Sequence, residues 1–427
     1  MARKMKDSGI EWIGEIPEGW RTINPKALFT QRKDKAQKGE RQLTSSQQYG
    51  ILYQDDYMEL TGSKVVTVEK DFDILKHVEA GDFVISMRSF QGGLEYSTKS
   101  GAISSAYIML VPNLELVYPR FYRWLLKSSV YIDALQRTTN MVRDGQAMRY
   151  SNFAQVRLFT LPLDEQKSRA DFLDLECSSI DKILFKTRSS IEEYKKLKQA
   201  VITQAVTKGV RGEREMKDSG VEWIGEIPEE WNKCKLKNIS IDIGDGLHGT
   251  PKFDDSGEVY FINGNNFSGE YVEPKFDTKK LCLEESLNYP KPELTEQTIM
   301  ISLNGSYGKV CLYRYFPMLL GKSAGYITLL PSINRRYVRY YLSSTPAQII
   351  MTLNLNGTTI PNLSLNTLYN FSTILPPASE QAEIADYLDA KCAEINKLIA
   401  KKEQLVKELE SYKKSLIYEV VTGKREV

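Results

Sequence analysis

The hydrophobic positions of this chain repeat at helical spacing in two long stretches, mainly at steps of three and four with charged residues between them. The first stripe contains Leu173, Cys177, Ile180, Leu184, Thr187, Ile191, Tyr194, Leu197, Val201 and Ala205. The second contains Leu388, Cys392, Ile395, Ile399, Lys402, Val406, Leu409, Tyr412, Leu416 and Val420. Because this spacing is typical of coiled coils, we predict two helices of about 40 residues, roughly 60 Å each at 1.5 Å per residue, that pair with each other.

The regions before these stretches show another pattern, in which short β-favouring runs are separated by turn residues. We predict strands at residues 64–68, 83–87, 106–111, 259–263, 298–303 and 326–330, and helices at 119–129 and 335–344. The expected fold class is therefore α+β. Two mixed α/β globules are joined by two long antiparallel helices in a coiled coil.

The sequence contains an internal duplication. Residues 5–20, MKDSGIEWIGEIPEGW, return as residues 216–231, MKDSGVEWIGEIPEEW, with differences only at Ile10/Val221 and Gly19/Glu230. Residues 161–206 also align with residues 375–421, whereas residues 21–160 and 232–374 share little sequence similarity. A repeat of this length is a whole domain rather than a solenoid unit. We therefore predict internal pseudo-two-fold symmetry with two globules, 1–160 and 216–374, each followed by a helical spacer, 161–215 and 375–427.

Composition changes this picture little. Hydrophobic residues make up 41% and charged residues 26%, as in ordinary globular proteins. With no apolar run of membrane-spanning length and no apolar signal segment in MARKMKDSG, we expect a cytoplasmic protein that makes no membrane contact. The five cysteines form no CxxC pair, which argues against a metal site. Cys177 and Cys392 lie on the helical stripes and are expected to be reduced core thiols.

Charge is distributed unevenly although the net charge is only +2. Residues 21–160 carry 19 Lys and Arg against 14 Asp and Glu, and residues 232–374 carry 14 against 12. The positive surplus thus lies in the two regions whose sequences differ between the halves. Such a distribution favours contact of these regions with a polyanion.

Three features together resemble the specificity subunit of type I restriction–modification systems. They are the repeated KDSGxEWIGEIPExW segment, the LPxxEQ-type entry into each long helix (LPLDEQ and LPPASEQ), and the two-fold repeat around unlike central regions. Residues 245–251, DGLHGTP, also resemble a segment at the start of that family's target-recognition domains. The resemblance covers essentially the whole chain.

The resemblance implies a subunit without catalytic activity that directs a larger complex to DNA. Each of two target-recognition domains would read one half of a split, asymmetric double-stranded DNA site, and the helices would hold the halves apart. The partners would be two copies of an adenine-N6 methyltransferase subunit, and an ATP-driven translocating restriction subunit can also be recruited. S-adenosylmethionine, ATP and magnesium would be bound by those partners, and this chain would bind no cofactor.

The absence of catalytic motifs agrees with this division of labour. The sequence has no Asn-Pro-Pro-aromatic or Asp-Pro-Pro-aromatic tetrapeptide, which positions a flipped adenine in amino-methyltransferases, and no GxxxxGK[ST] phosphate loop. Gly244, Gly246 and Gly249 satisfy GxGxxG. We interpret this as a chance match to the dinucleotide-binding motif, because Pro251 lies just after it and no helix is predicted there.

Candidate DNA contacts are side chains in loops that suit base edges or phosphates, since Arg pairs well with guanine and Asn or Gln with adenine. In the first region they are Arg88, Ser89 and Gln91 in MRSFQGG, and Arg143, Gln146 and Arg149 in VRDGQAMRYS. In the second they are His248, Lys252, Asn263, Asn265, Asn266, Asn304, Ser306, Tyr307 and Lys309. An ordinary solvated hairpin is the competing interpretation for each residue.

The aligned segments RFYRWLL (120–126) and RYVRYYL (336–342) combine aromatic and basic residues. We assign Trp124, Tyr340 and Tyr341 to packing, because aromatics at helical spacing are more often core than base-stacking platforms, while Arg123 and Arg339 are candidates for phosphate contacts.

Several alternatives stay open at the level of sequence. The chain could be a coiled-coil scaffold for two protein-binding globules or a self-sufficient modification enzyme, and the helices could be a stalk rather than a ruler. A ruler predicts that adding about four residues within 193–206 changes the spacer but neither half-site. The EWIGEIPExW segments could pack internally or against the methyltransferase. The sequence gives neither the half-site sequences nor the spacer length.

Overall fold

The computed structural model describes residues 3–68, 72–86, 94–138, 149–356 and 361–427. The chain divides into two compact units. The first comprises Met1–Arg188 with Gln404–Val427, and the second comprises Ser189–Glu403. Each unit therefore contains one β-rich domain and a part of each long helix. Among the described residues, no helix combines the length and the apolar character that crossing a bilayer requires.

The elements of the two halves follow one another in a similar order. Those before the first long helix are β1 (Met5–Asp7), β2 (Glu15–Pro17), β3 (Arg21–Ile23), α1 (Pro25–Leu28), β4 (Phe29–Arg32), β5 (Leu43–Ser46), β6 (Gly50–Tyr53), α2 (Gln54–Thr61), β7 (Lys76–Val78), β8 (Phe83–Ser86), β9 (Leu94–Tyr96), β10 (Gly101–Ile103), β11 (Tyr107–Pro112), α3 (Pro119–Leu126), α4 (Ser129–Arg137), α5 (Tyr150–Phe153) and β12 (Leu158–Thr160). The long helix α6 (Leu163–Lys208) follows.

The second half ends on the other long helix. Its elements are β13 (Met216–Asp218), β14 (Glu226–Pro228), β15 (Asn232–Lys235), β16 (Ser240–Asp245), β17 (Val259–Ile262), β18 (Lys280–Leu281), α7 (Leu283–Leu287), β19 (Thr298–Ser302), β20 (Val310–Leu312), β21 (Met318–Leu320), β22 (Ala324–Leu329), α8 (Arg335–Ser343), α9 (Thr345–Leu353), α10 (Leu365–Tyr369), β23 (Ser372–Leu375) and α11 (Ala378–Val421). Single 3-10 turns occur at Phe72–Ile74, Leu236–Asn238 and Gly264–Asn266.

The two β-rich domains contain equivalent sheets although their sequences differ. In the first unit the central antiparallel sheet has the order β4-β11-β8-β9, and in the second it has the order β16-β22-β19-β20. Strand β22 is buried along its whole length. A strand that is covered on both faces has a continuous apolar sequence rather than an alternation of apolar and polar residues. This explains why these strands could be predicted from the sequence.

The long helices pack antiparallel within each unit. In the first unit Lys413 Nζ lies 2.6 Å from Asp181 Oδ1, and Arg188 pairs with Glu410. In the second unit Lys198 Nζ donates to Asn396 Oδ1 at 2.9 Å. Residue numbers fall along one helix as they rise along the other, so the predicted α+β class with two paired antiparallel helices is confirmed.

The apolar stripe differs from the prediction at two positions. Leu197 is 48% exposed and Tyr412 is 47% exposed, whereas Ile202 is buried instead. Lys198 lies nearer the seam than its neighbour Leu197, and its ammonium group is held by an amide of the opposite helix. An α-helix of 3.6 residues per turn drifts away from a 3.5-residue repeat, so a sequence stripe alone does not fix the facing residue over many turns.

The predicted strand at 64–68 is wrong. This segment has no regular structure, and Val66 is 87% exposed. Its backbone pairs with a side chain instead of a strand: Gln42 Nε2 donates to the carbonyl of Val68, and the Val68 N–H donates to Gln42 Oε1. The β-branched residues of KVVTV favour an extended chain, but no strand in the described part of the chain pairs with this segment.

The repeated segment joins each β-rich domain to the start of a long helix. The Trp20 indole is fully buried and donates to Glu165 Oε2, and the equivalent Trp231 donates to Glu380 Oε2, both at 3.0 Å. The EQ pair in LPLDEQ and LPPASEQ therefore has a structural role. Trp20 and Trp231 pack internally, within the units that contain them.

The arginine two residues before each repeat completes this junction. Arg3 Nη1 lies 2.5 Å from Glu165 Oε1, and Arg214 Nη2 lies 2.6 Å from Glu380 Oε1. Both guanidinium groups also lie over the tryptophan rings, 5.6 Å and 5.2 Å from the centroids. The charge of each glutamate is thus compensated where the indole covers it.

The stability of the junction in the first unit is expected to depend on pH. Burial opposes ionisation of Glu165, but hydrogen bonds from Arg3, Arg169 and Trp20 stabilise the carboxylate and lower its pKa to about 2. A glutamate in an unfolded chain has a pKa of about 4.3. The contribution of ionised Glu165 to the stability of the folded unit is therefore complete above that pH and is lost as the pH falls toward about 2. We expect acid to lower the melting temperature of the wild type more steeply than that of Glu165→Gln. The exposed Glu15→Gln serves as control, and equal pH dependence in all three would contradict the assignment.

The first tryptophan of each repeat distinguishes the two units. Trp12 packs edge-on against Tyr131, with 5.5 Å between ring centroids. The residue equivalent to Tyr131 is Ala347, the third residue of α9, and Trp223 is 46% exposed. We expect Trp12→Ala to cost about 2 kcal/mol, below the range for fully buried aromatics, and Trp223→Ala to change stability by less than about 0.5 kcal/mol. Calorimetry of both variants measures this, and equal losses would refute it.

Candidate nucleic-acid interface

The loop at residues 303–309, LNGSYGK, connects β19 to β20 as predicted, and its base is closed by Ser302. The Ser302 hydroxyl donates to the carbonyl of Ser306 (2.6 Å) and accepts from the Lys309 N–H (2.9 Å). Gly305 and Gly308 adopt φ values of +69° and +73°. Residues other than glycine rarely adopt this backbone conformation, so the two glycines permit the tight loop.

The candidates on this loop differ in exposure. Ser306 and Lys309 are exposed, and Asn304 is half-buried beside Asn362, with which its backbone forms an isolated bridge. The half-buried Tyr307 places its hydroxyl 3.2 Å from Thr352 Oγ1 of α9. Three side chains can thus reach solvent, whereas Tyr307 also fixes the loop to a helix.

The turn at residues 263–266 is less open than the sequence suggested. Asn266 is only 6% exposed, its Nδ2 donates to Thr278 Oγ1 (2.8 Å), and its Oδ1 accepts from the Asn263 N–H (3.0 Å). Asn265 is exposed and forms no side-chain hydrogen bond with another described residue. Asn266 therefore shapes the turn, and because its amide is already satisfied inside the domain the structure argues against the DNA contact predicted for it.

His248 and Lys252 lie on the segment that follows β16. The exposed His248 places Nε2 2.7 Å from Asp245 Oδ2, and Lys252 is also exposed. No helix opens after Gly244, Gly246 and Gly249, so the context that a dinucleotide site requires is missing here. A Cβ on Gly246 would lie 2.3 Å from the backbone of Leu320. Glycine is needed there because the two chain segments approach closely.

Residues 320–323, LGKS, join the three candidate segments, and sequence reasoning missed them. The carbonyl of Leu320 accepts from the Leu247 N–H (2.7 Å), and the Gly321 N–H donates to the carbonyl of Ile262 (2.9 Å). The Ser323 carbonyl accepts from the Leu303 N–H (3.0 Å). The structure thus brings the segments near 248, 263 and 303 to one site. A small Gly-Lys-Ser turn before a buried strand was the signal in the sequence.

The site carries exposed positive charge. Lys252, Lys309 and Lys322 are exposed, and none of them forms an ion pair with another residue that the structure describes. Lys322 lies on the joining turn between Gly321 and Ser323. Exposed ammonium groups outside ion pairs are available to phosphates, beside amide and hydroxyl groups that suit base edges.

The candidates of the first region fall mostly outside the described residues. Arg88, Ser89, Gln91, Arg143 and Gln146 lie at positions that the structure does not describe. Arg149 is exposed just before α5, and its N–H donates to Asn152 Oδ1 (3.0 Å). Strands β8 and β9, which flank MRSFQGG, occupy the sheet positions that β19 and β20 occupy in the second unit.

Helices α3 and α8 contain the aromatic-basic segments RFYRWLL and RYVRYYL. Their polar side-chain groups contact the long helices. In the first unit Arg123 pairs with Asp174, and the Trp124 indole donates to the same carboxylate at 2.7 Å. In the second unit the Tyr340 hydroxyl donates to Asp389 Oδ1 at 2.7 Å. Arg339, whose side chain is 13% exposed, lies over the Tyr340 ring. These groups anchor α3 and α8, which supports the packing assignment and leaves Arg339 little access to phosphate.

No group of His, Cys, Asp and Glu within the described ranges has the arrangement of a metal site. The thiols of Cys177 and Cys392 are free and buried in their helices, as expected, and burial raises the pKa of Cys177 to about 11. A thiol with so high a pKa is poorly nucleophilic at neutral pH.

Comparisons with known proteins identify the family. The family model for the type I restriction modification DNA specificity domain matches residues 228–408. The type I restriction enzyme MjaVIII specificity subunit of Methanocaldococcus jannaschii is 26% identical over 358 residues, covering 81% of this chain and 80% of its own. A second protein of that organism, described as an MjaX specificity subunit, is 24% identical over 437 residues, covering 96% and 95%. Over most of its length the chain is thus similar to type I restriction–modification specificity subunits, and residues 228–408 match the DNA specificity domain of that family.

This specificity subunit shares its fold with a chain solved in work on complex assembly and conformational transition of the type I R-M system. The two have a TM-score of 0.72 at 14% identity, covering 96% of this chain and 99% of the other. As a DNA specificity subunit, the chain is the targeting component of its system rather than a catalytic one. The resemblance drawn from the repeated motifs is confirmed.

Proposed function

We propose that each β-rich domain of this specificity subunit reads one half of a split, asymmetric DNA site. The observation that supports this most is the pair of equivalent sheets with unrelated sequences. The segments that join equivalent strands, MRSFQGG between β8 and β9 and LNGSYGK between β19 and β20, differ in sequence, and only the second lies within the described residues. Segments that join equivalent strands but carry different side chains would read different bases.

In the second domain the reading surface would consist of the three segments joined at 320–323. Amides such as those of Asn265 and Asn304 suit adenine edges, and each well-formed bidentate contact contributes roughly 1 to 3 kcal/mol of discrimination. Lys252, Lys309 and Lys322 would neutralise phosphates and supply affinity without sequence preference. In the first domain Arg88, Gln91 and the other named candidates stay predictions.

The repeated junctions would give the complex its stoichiometry. The same local structure occurs twice in one chain, around Trp20 and around Trp231. We propose that two adenine-N6 methyltransferase subunits attach to this duplicated framework, so that one adenine is modified in each half-site. A restriction subunit can join the same assembly. S-adenosylmethionine, ATP and magnesium would be bound by these partners.

Lys322 provides a test of the electrostatic part. Replacing it with alanine is expected to weaken DNA binding several-fold on every sequence, and to reduce the slope of log affinity against log salt by about 0.9, the value for one phosphate contact. Titration of labelled duplexes between about 50 and 200 mM salt measures both. Lys401→Ala, an exposed lysine on α11, is the control. An unchanged slope in Lys322→Ala would show that this ammonium group does not face phosphate.

The proposed function is tested by expressing this chain with its methyltransferase subunit and mapping methylated adenines by single-molecule sequencing. A split motif with a modified adenine in each half is the expected result. Methylation at an undivided site would show that only one domain reads DNA. A stable complex that methylates nothing would favour a scaffold instead.

A further inference from the structure

We propose that Ser323 is a positioning residue for sequence reading by the second domain. Its hydroxyl binds the turn at 263–266 while its backbone carbonyl binds the loop at 303–309, so that the two segments present their side chains as one surface. The inference rests on the proposed function, because it concerns how one half-site is read. It assigns a role to a residue that lies on neither of the segments that carry the candidate contacts.

The hydrogen bonds of Ser323 run to both segments. Its Oγ donates to Asn263 Oδ1 (3.1 Å) and accepts from the Gly264 N–H (3.0 Å). Its carbonyl accepts from the N–H of Leu303, the first residue of the loop (3.0 Å). One residue thus binds the start of the turn through its side chain and the start of the loop through its backbone.

The two segments are also in close contact at this point. A Cβ on Gly264 would lie 3.0 Å from the Cβ of Ser302, the residue that closes the loop. The spacing of turn and loop is therefore fixed by van der Waals contact on one side and by the Ser323 hydroxyl on the other. Removing the hydroxyl would leave the Gly264 N–H and the Asn263 Oδ1 without this partner, and the turn could then shift.

Ser323 acts through these neighbours rather than on DNA. A hydroxyl has a single proton to donate, and that of Ser323 is used on Asn263. Exposed polar side chains on the two segments that it contacts include Asn265 on the turn and Ser306 on the loop. Base contacts depend on placement within a few tenths of an ångström, because hydrogen bonds weaken steeply outside their narrow range of distance and angle.

The test uses Ser323→Ala in the full chain, assembled with the methyltransferase subunit. Methylated motifs are compared with those of the wild type. We expect the preference for the correct base to fall about tenfold at positions in one half-site, within the range that a bidentate contact provides. The other half-site and the spacer length should be unchanged. Ser323→Thr, which keeps the hydroxyl, should restore the wild-type motif.

Ser344→Ala is the matched control for a merely structural effect. Ser344 is a buried serine of the same unit whose hydroxyl donates to the carbonyl of Tyr341 at the α8–α9 junction. It should lower the melting temperature without changing the motif. An unchanged motif in Ser323→Ala, or the same relaxation in Ser344→Ala, overturns the inference. Failure of the wild type to give a split motif would instead refute the proposed function.

Discussion

Trp231→Ala is expected to remove about 4 kcal/mol of stability from the second unit, in the middle of the range for buried aromatic residues replaced by alanine. The Trp231 indole is fully buried, donates to Glu380 Oε2, and lies under the Arg214 guanidinium. Its loss would leave a cavity and a buried carboxylate with one hydrogen bond fewer. Calorimetry should show one destabilised transition, and methylation at the split site should be lost.

A second variant separates the cavity from the hydrogen bond, and a third tests the junction of the other unit. Trp231→Phe keeps most of the ring but removes the N–H, and is expected to cost about 2 kcal/mol, part of it for the carboxylate left short of a donor. Trp20→Ala makes the same change in the first unit, where the bond goes to Glu165. We expect it to destabilise the other transition. If Trp231→Ala melted like the wild type, the repeated segment would not stabilise the junction with the long helix.

Insertion of seven residues in each long helix is expected to lengthen the spacer of the DNA site by about three base pairs. Seven residues add about 10.5 Å of helix, and base pairs are spaced about 3.4 Å apart. Suitable positions are those at which the units divide, after Arg188 on α6 and after Glu403 on α11. A whole heptad returns the apolar stripe to nearly the same face, which four residues would not do as well. The methylation map of the assembled complex gives the new spacer.

Both half-sites should keep their sequences in this variant, because the reading loops are not touched. Insertion in α6 alone is the control. It should disturb the antiparallel pairing, in which Lys198 meets Asn396, and reduce methylation at every spacer length. A changed half-site with the original spacer would contradict the proposal that the helices act as a ruler.

Parts of the site could be predicted because they depend on local chemistry. The strand–loop–strand at 298–312 follows from an apolar run, a glycine-containing turn and a second apolar run, and the structure has it. The role of Asn266 could not be predicted, because its amide is satisfied by Thr278, twelve residues away. Leu197 was misplaced because the helix drifts away from the 3.5-residue stripe, so that Lys198 contacts Asn396 of the opposite helix while Leu197 is exposed.

The sequence by itself determined the duplication, the two long helices and the family, since a repeat of 16 residues, a helical stripe and an EQ pair are local patterns. Only the tertiary structure decided that Glu165 and Glu380 receive the indoles of Trp20 and Trp231, and that residues 320–323 join the segments near 248, 263 and 303. The physical reason is that hydrogen bonds and close packing select their partners in space. Residues about 20 or more positions apart, as in all of these pairs, leave no periodicity that would reveal such a pairing.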